Sequence, residues 1–451
     1  MNLSELQNKT VLLFGQSRAF SADEFSSQMK YHKINLTKEY SEDVVLVVDG
    51  KMMTPYEQNA SDKLYEEKID AKFMAIDALE KELAKHIDAD TLMMSLKLSH
   101  DKDRLKDFLT NSMIDDELFL RLLKMYKWNG DNFFDTDDNR DVSAALIVRF
   151  YQNIERNHNV QYAALGIMHL VTQTKNEKLL EAVSYLEPIQ QTMNLGVNEA
   201  NNKIISAIVT NYATDRNVLN MFIKNANSYT RTLIAMREDC DEEMQMNLVK
   251  TEDEDVLKAL SYNSNLSKHV VKKLLFNEGL AKNMARNLRH DDVLFEIFFK
   301  NYPNEVAKNE FISVEMQKKL IAYHAKDVML ALATNENLDK KVVLDLLKEE
   351  SEELNLALYE NSATPQESLE EAYDDELNHL ALANNENTPK HILESLAQSG
   401  EIKVLKSLAK NISTPVEVLY QLQLDSRLER AVKENPNFGK HIMSENIGWE
   451  I

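Results

Sequence analysis

The sequence predicts a mainly α chain: an α-solenoid of short helical repeats, 24–26 residues each, preceded by a small α/β domain. Three observations carry this. The phrase LALANNENTPKHILESLA, from Leu380, returns as LALATNENLDKKVVLDLL from Leu330, LALYENSATPQESLEEAY from Leu356 and SLAKNISTPVEVLYQL from Ser407. Only 9 glycines occur in 451 residues, well under the usual ~7%, which leaves little material for phosphate-gripping loops or tight hairpins. Short β-branched runs ending in glycine are confined to the first ninety residues. The chain therefore divides into an α/β module at 1–90, an irregular helical linker or cap at 91–200, and the repeats at 201–451.

Within the module, KTVLLFG (Lys9 to Gly15) and VVLVVDG (Val44 to Gly50) read as buried strands, and Ile34 to Leu36 and KFMAID (Lys72 to Asp77) as two more. Ser21, with Glu24 three residues on, reads as a capping box that opens a helix. Further helices are expected around Ser61 to Lys68 and from Ala78 to Ile87. The succession strand, helix, strand, strand, helix, strand, helix resembles a BRCT domain. That resemblance implies a phosphate site made by a hydroxyl before the glycine closing the first strand, that glycine's amide, and a lysine on the second helix. Gly15 and Lys63 match; Phe14 stands in the hydroxyl position, Tyr31, His32 and Lys33 replace a glycine pair, and the last helix has no tryptophan. GQSRAF carries no second or third glycine of a GxGxxG loop, which removes a dinucleotide fold.

From about 90 to 200 helical periodicity continues without a visible repeat, as in Leu118 to Tyr126 and Val142 to Ile154. Solenoid ends need such caps. DTDDNRD, Asp135 to Asp141, places Asp135, Asp137 and Asn139 at alternating positions, as a calcium loop does. Arg140 and Leu146, however, stand where that loop needs glycine and a bidentate glutamate. The simpler reading is a polar loop whose Asp141 caps a helix at Val142.

In the repeats, Asn335, Asn361, Asn385, Asn411 and Asn435 are separated by 26, 24, 26 and 24 residues. Asn309, Asn287, Asn263, Arg237 and Asn211 continue the register upstream, giving ten units. Thr364, Thr388 and Thr414 each precede a proline, the order expected when threonine caps a helix and proline takes its first position. Glu367 and Glu417 complete capping boxes. Apolar residues such as Ile392, Leu393 and Leu396 then mark one helical face, and a second short run follows, so each unit is a helix pair with the asparagine in its turn. Such a pair cannot bury its apolar face alone and must stack on its neighbours. The pattern LAxNxxTPxxxLxxL resembles the leucine-rich repeat variant family, which implies a right-handed curved array of paired helices. Members of that family can carry a cysteine-ligated iron–sulfur cluster; Cys240, the single cysteine, cannot supply one.

Composition bounds the function. Hydrophobic residues make up 43% and charged residues 28%, as in a folded protein with a well-solvated surface. One cysteine excludes an internal disulfide and suits a reducing compartment. The sequence has neither a basic-then-apolar leader nor a run of ~18 apolar residues, so the expected location is the cytoplasm, with no membrane contact. A net charge of -22 repels nucleic acid and anionic lipid at long range. Against this background, Lys268, Lys272, Lys273, Lys282, Arg286 and Arg289 face only Glu278, and the last three are spaced to share one helical face. HExxH, GxSxG, GxxxxGK[ST] and CxxC do not occur, and Cys240 lies among carboxylates that disfavour a thiolate. The expectation is a non-enzymatic scaffold, without cofactor or metal, that binds a protein partner on the repeat surface. The alternative is a DNA-associated repair or replication factor, suggested by the BRCT resemblance together with the basic stretch at 268–290.

Overall fold

The structure, a computed structural model, describes residues 3–67, 69–151, 160, 162–196, 199–349 and 351–445. The chain is mainly helical, with one four-stranded parallel sheet at its N-terminus. Contacts divide it into two compact units, Met1–Ile234 and Ala235–Ile451.

In the first unit the strands are β1 (Thr10–Phe14), β2 (Asn35–Thr37), β3 (Val44–Asp49) and β4 (Lys72–Ala75), with helices α1 (Ala22–Tyr31), α2 (Pro55–Glu66) and α3 (Ile76–Lys85) between and after them. The sheet order is β2-β1-β3-β4 and every pairing is parallel. Parallel strands covered on both faces read as unbroken apolar runs. Accordingly Val11, Leu12, Leu46, Val47 and Val48 are all fully buried. β1 and β3 end together: the Gly50 amide donates to the Phe14 carbonyl, and Gln16 and Lys51 exchange backbone hydrogen bonds. Gly15 has a φ of +65°, and a Cβ at Gly50 would lie 2.5 Å from the Phe14 oxygen, so both positions require glycine.

Two details of the module differ from expectation. Ser21 does cap α1 by accepting from the Glu24 amide, but the Glu24 carboxylate accepts from Gln28 and Arg104 instead of closing the box, because a guanidinium makes the stronger, charge-assisted bond. α2 starts at Thr54–Pro55, ahead of Ser61, with Thr54 and Glu57 forming a complete capping box. Lys68 lies outside the described residues.

Among the described residues, seven further α-helices follow between Ala89 and Thr192, with Phe119, Trp128 and Phe133 buried. Of the run expected from Val142 to Ile154, residues 152–154 lie outside the described part. The helix there begins at Asp137, not Val142, and its cap is Thr136, whose hydroxyl accepts from the Asn139 amide.

The second unit is a succession of short helix pairs. The helices Glu254–Ser261, Glu278–Asn287, Pro303–Ala307, Lys326–Ala333, Glu352–Glu360, His379–Asn384, Ile402–Lys410 and Glu429–Lys433 each pack on the previous one of that set. Apolar residues from both members of each pair fill the interior; around the last repeats these include Leu382, Leu393, Leu408, Leu419 and Phe438.

Candidate functional site

The asparagines of the repeat form a ladder. Asn385 is fully buried; its Nδ2 donates to the carbonyls of Tyr359 and Asn361, both at 2.8 Å, and its Oδ1 accepts from the Asn387 amide at 2.8 Å. Asn335, Asn361, Asn411 and Asn435 repeat the arrangement, each donating to the carbonyl of the asparagine one unit earlier. Asn263 donates to the Arg237 carbonyl, so Arg237 does occupy an asparagine place. Asn211, in the first unit, closes its turn in the same way on Val171 and Thr174.

Asn287 is not a rung. It ends its helix and its Nδ2 returns to the Asn283 carbonyl, while Asn309 donates to Ala285 and Leu288. Leu288 is therefore the ladder position. Only two residues separate it from the next cap, Asp291, where the other units have three, which is why the spacing misplaced the rung by one residue.

The threonines act differently from the expected caps. The hydroxyls of Thr364, Thr388 and Thr414 donate to the carbonyls of Leu358, Leu382 and Leu408, six residues back. The cap positions belong to Pro365, Pro389 and Pro415, which have no side-chain acceptor, so Glu367 and Glu417 complete no boxes. The physical reason is burial: this slot holds Leu266, Ile312 and Leu338 in other units, and a hydroxyl placed there must satisfy a carbonyl inside the turn.

A second row, absent from the sequence expectations, lies two residues beyond the rungs. Asn265, Asn337, Asn387 and Asn437 each donate Nδ2 to a turn carbonyl of the preceding unit: Glu238, Glu310, Thr364 and Thr414. Gln245 and Gln317 add bonds in the opposite direction, to the carbonyls of Asn265 and Asn337. The recurrent Asn-x-Asn (263–265, 335–337, 385–387, 435–437) was the available signal. Along this turn face open two shallow cavities, one of about 250 Å³ that includes Arg286, Lys308 and Glu336, and one of about 580 Å³ between residues 366 and 441.

The basic stretch is distributed over two helices and a loop. Lys272 and Lys273 are exposed at the end of Lys268–Leu274, and Lys282 and Arg286 lie on Glu278–Asn287. Arg289 lies past the end of that helix, so it does not share the expected face; its guanidinium sits 4.8 Å from the centre of the Phe311 ring. Lys268 pairs with Asp291 and Lys282 with Glu278.

In the N-terminal module the Gly15 amide donates to Glu57 Oε1 at 3.0 Å, and Lys38 Nζ donates to the Gly15 carbonyl. The amide of Thr54, that of Gly15 and the Thr54 hydroxyl hold the Glu57 carboxyl down at about 2. A second carboxylate, buried Glu80, accepts from Ser17 Oγ and the amides of Arg18 and Ala19. Donors at the carboxyl end of β1 are thus engaged by the protein's own anions, and Lys63 is paired with Glu67 at 3.7 Å.

Of the calcium-loop residues, Asn139 is buried and donates to the carbonyls of Trp128 and Asn132 while accepting from Tyr126. Asp137 faces Arg140, and Asp138 and Asp141 face Lys106. Among the described residues no three His, Cys, Asp or Glu side chains converge as metal ligands. Cys240 is buried, and burial, followed by the charges of Asp241 and Asp239, pushes its thiol up to about 12. No family model, curated protein or solved structure matches the chain.

Proposed function

We propose that the chain is a non-enzymatic adaptor that binds a protein partner along the turn face of its repeats. The observation that supports it is the asparagine ladder. Each unit is locked to the previous one by buried hydrogen bonds. Exposed residues at equivalent positions are therefore held in a fixed order along one surface, and a surface ordered in advance loses little entropy when a partner docks. On this reading the second unit is an α-solenoid of the leucine-rich repeat variant kind, and the first begins with a BRCT-like module, a resemblance supported by its order of strands and helices. Among the described residues no helix is long and apolar enough to cross a membrane; the proposed location is the cytoplasm. The nucleic-acid alternative has less support, since Lys268, Lys282 and Arg289 are engaged within the chain.

The test is affinity capture with the full chain from native cytoplasm, followed by reconstitution from purified components and light scattering. A complex of defined stoichiometry is expected. Failure of every captured protein to re-form such a complex would refute the adaptor.

A further inference from the structure

The second helices of the repeat pairs keep one face to solvent, and four consecutive ones carry matched charges of opposite sign. These are Val314–Ala322, Lys340–Leu347, Gln366–Ala372 and Lys390–Leu396. Their residues correspond one to one when counted from the caps Ser313, Asp339, Pro365 and Pro389. In the inner two helices, Lys341 and Glu367 stand two residues past the cap, and Lys348 and Asp374 nine past it. In the outer two, Lys318 and Glu394 stand five past it. All six are exposed. Among the described residues, Lys318, Lys341, Glu367, Asp374 and Glu394 have no ion-pair partner within the chain, and Lys348 reaches only Asp345, at 2.7 Å. Leu344, 44% exposed, lies in their midst. No lysine or arginine occurs between Lys348 and Lys390, so the acidic helix has no cation of its own.

A two-fold axis parallel to these helices, midway between Lys340–Leu347 and Gln366–Ala372, preserves position along a helix and reverses the order of the units. It sets Lys341 over Glu367, Lys348 over Asp374 and Lys318 over Glu394 of a second copy, and the same rotation supplies the three reciprocal pairs. A surface of one sign fits many partners, whereas a surface that complements itself under a single rotation is what an isologous dimer requires. The positions that do not match are already engaged: Asp345, which falls opposite Glu371, is paired with Lys348, and Glu370, opposite Leu344, faces His391 at 3.9 Å. The net charge of -22 opposes association at long range, but at ~0.15 M salt that repulsion is screened beyond ~8 Å, while charges in contact are screened less. We propose that the chain forms a two-fold dimer through this face, a second copy of itself covering Lys340–Leu347 and Gln366–Ala372. The dimer uses the second-helix face and not the turn face of the adaptor reading, and neither depends on the other.

The experiment is sedimentation velocity of the full chain from about 1 to about 200 µM in ~0.15 M salt. A monomer–dimer equilibrium with a dissociation constant below about 100 µM is expected, weakening at least about tenfold in ~1 M salt. Lys341→Glu with Lys348→Glu, and separately Glu367→Lys with Asp374→Lys, should each weaken it by about tenfold or more with unchanged circular dichroism and melting, since each sets like charges opposite one another. An equimolar mixture of the two double variants should recover the dimer as a heterodimer, because every reversed pair is then attractive again. A monomer at every concentration, a dimer that both double variants leave intact, a mixture that stays monomeric, or polymers that grow beyond the dimer with concentration overturns the two-fold assignment. All of these are read without a captured partner, so the adaptor reading stands or falls separately, on its own reconstitution.

Discussion

Removing one rung of the ladder tests the architecture most directly, and Asn385→Ala is the cleanest perturbation. Asn385 is fully buried and makes three hydrogen bonds of 2.8 Å. Each such bond contributes about 1 kcal/mol net, and a buried partner left unpaired costs about 1–3 kcal/mol. The Asn361 carbonyl keeps a second donor, the Thr364 amide, so the added penalty falls on the Tyr359 carbonyl and the Asn387 amide. The expected loss is about 3–5 kcal/mol. In a unit the size of Ala235–Ile451, each kcal/mol lowers the melting temperature by about 2–4 °C, so the drop should be on the order of 10 °C. Neighbouring Asn384 is the control: it is exposed and its one side-chain bond is to Glu360 at 3.1 Å. Asn384→Ala should cost less than about 0.5 kcal/mol. Urea unfolding followed by circular dichroism reads both. A loss below about 1 kcal/mol for Asn385→Ala, or equal losses for the two variants, would refute the ladder as the element that ties the units together.

Three other outcomes follow from single contacts. Thr388→Val keeps the shape of the slot but removes the donor to the Leu382 carbonyl, and should cost about 1–3 kcal/mol in urea unfolding while Thr388→Ser stays closer to the parent; equal effects would remove the hydroxyl's role. Glu57 has its carboxyl depressed from 4.5 to about 2, so its contribution is complete above pH 4.5 and is lost as pH falls toward 2. Glu57→Gln should therefore flatten the acid limb of melting temperature against pH in that window, and an unchanged limb counts against the Thr54 and Gly15 contacts. Cys240, buried and with its thiol raised to about 12, should react with a thiol reagent at pH 8 only after unfolding in guanidinium; rapid labelling of the native chain contradicts its burial.

The legible parts of the sequence were those in which a signal and its cause lie within one turn or one strand. Val11 to Phe14 and Val44 to Val48 announced strands because both faces of a parallel sheet are covered, and the period of the asparagines announced the repeat. Thr54, Pro55 and Glu57 form the complete box that the sequence also wrote, yet the expected helix was placed around Ser61. Capping at Ser21 was half right: the residue that diverts Glu24 is Arg104, eighty positions away. The basic face failed for a local reason, since helical spacing was extended to Arg289 beyond the helix end at Asn287. The larger turn-face cavity was not legible at all, because Asn387, Ile412 and Asn437 lie on three different turns.

The sequence by itself determined the helix pairs, their period and the buried strands, since periodicity, caps and branching act between residues a few positions apart. Only the tertiary structure decided what the recurring residues do. Stacking brings carbonyls 24 to 28 residues upstream within reach of Asn335, Asn361, Asn385, Asn411 and Asn435, and it turns Thr364, Thr388 and Thr414 inward as turn donors where local rules would have used them as caps. A buried polar group must take whichever partner the surrounding chain presents, and that partner exists only once the neighbouring unit is in place.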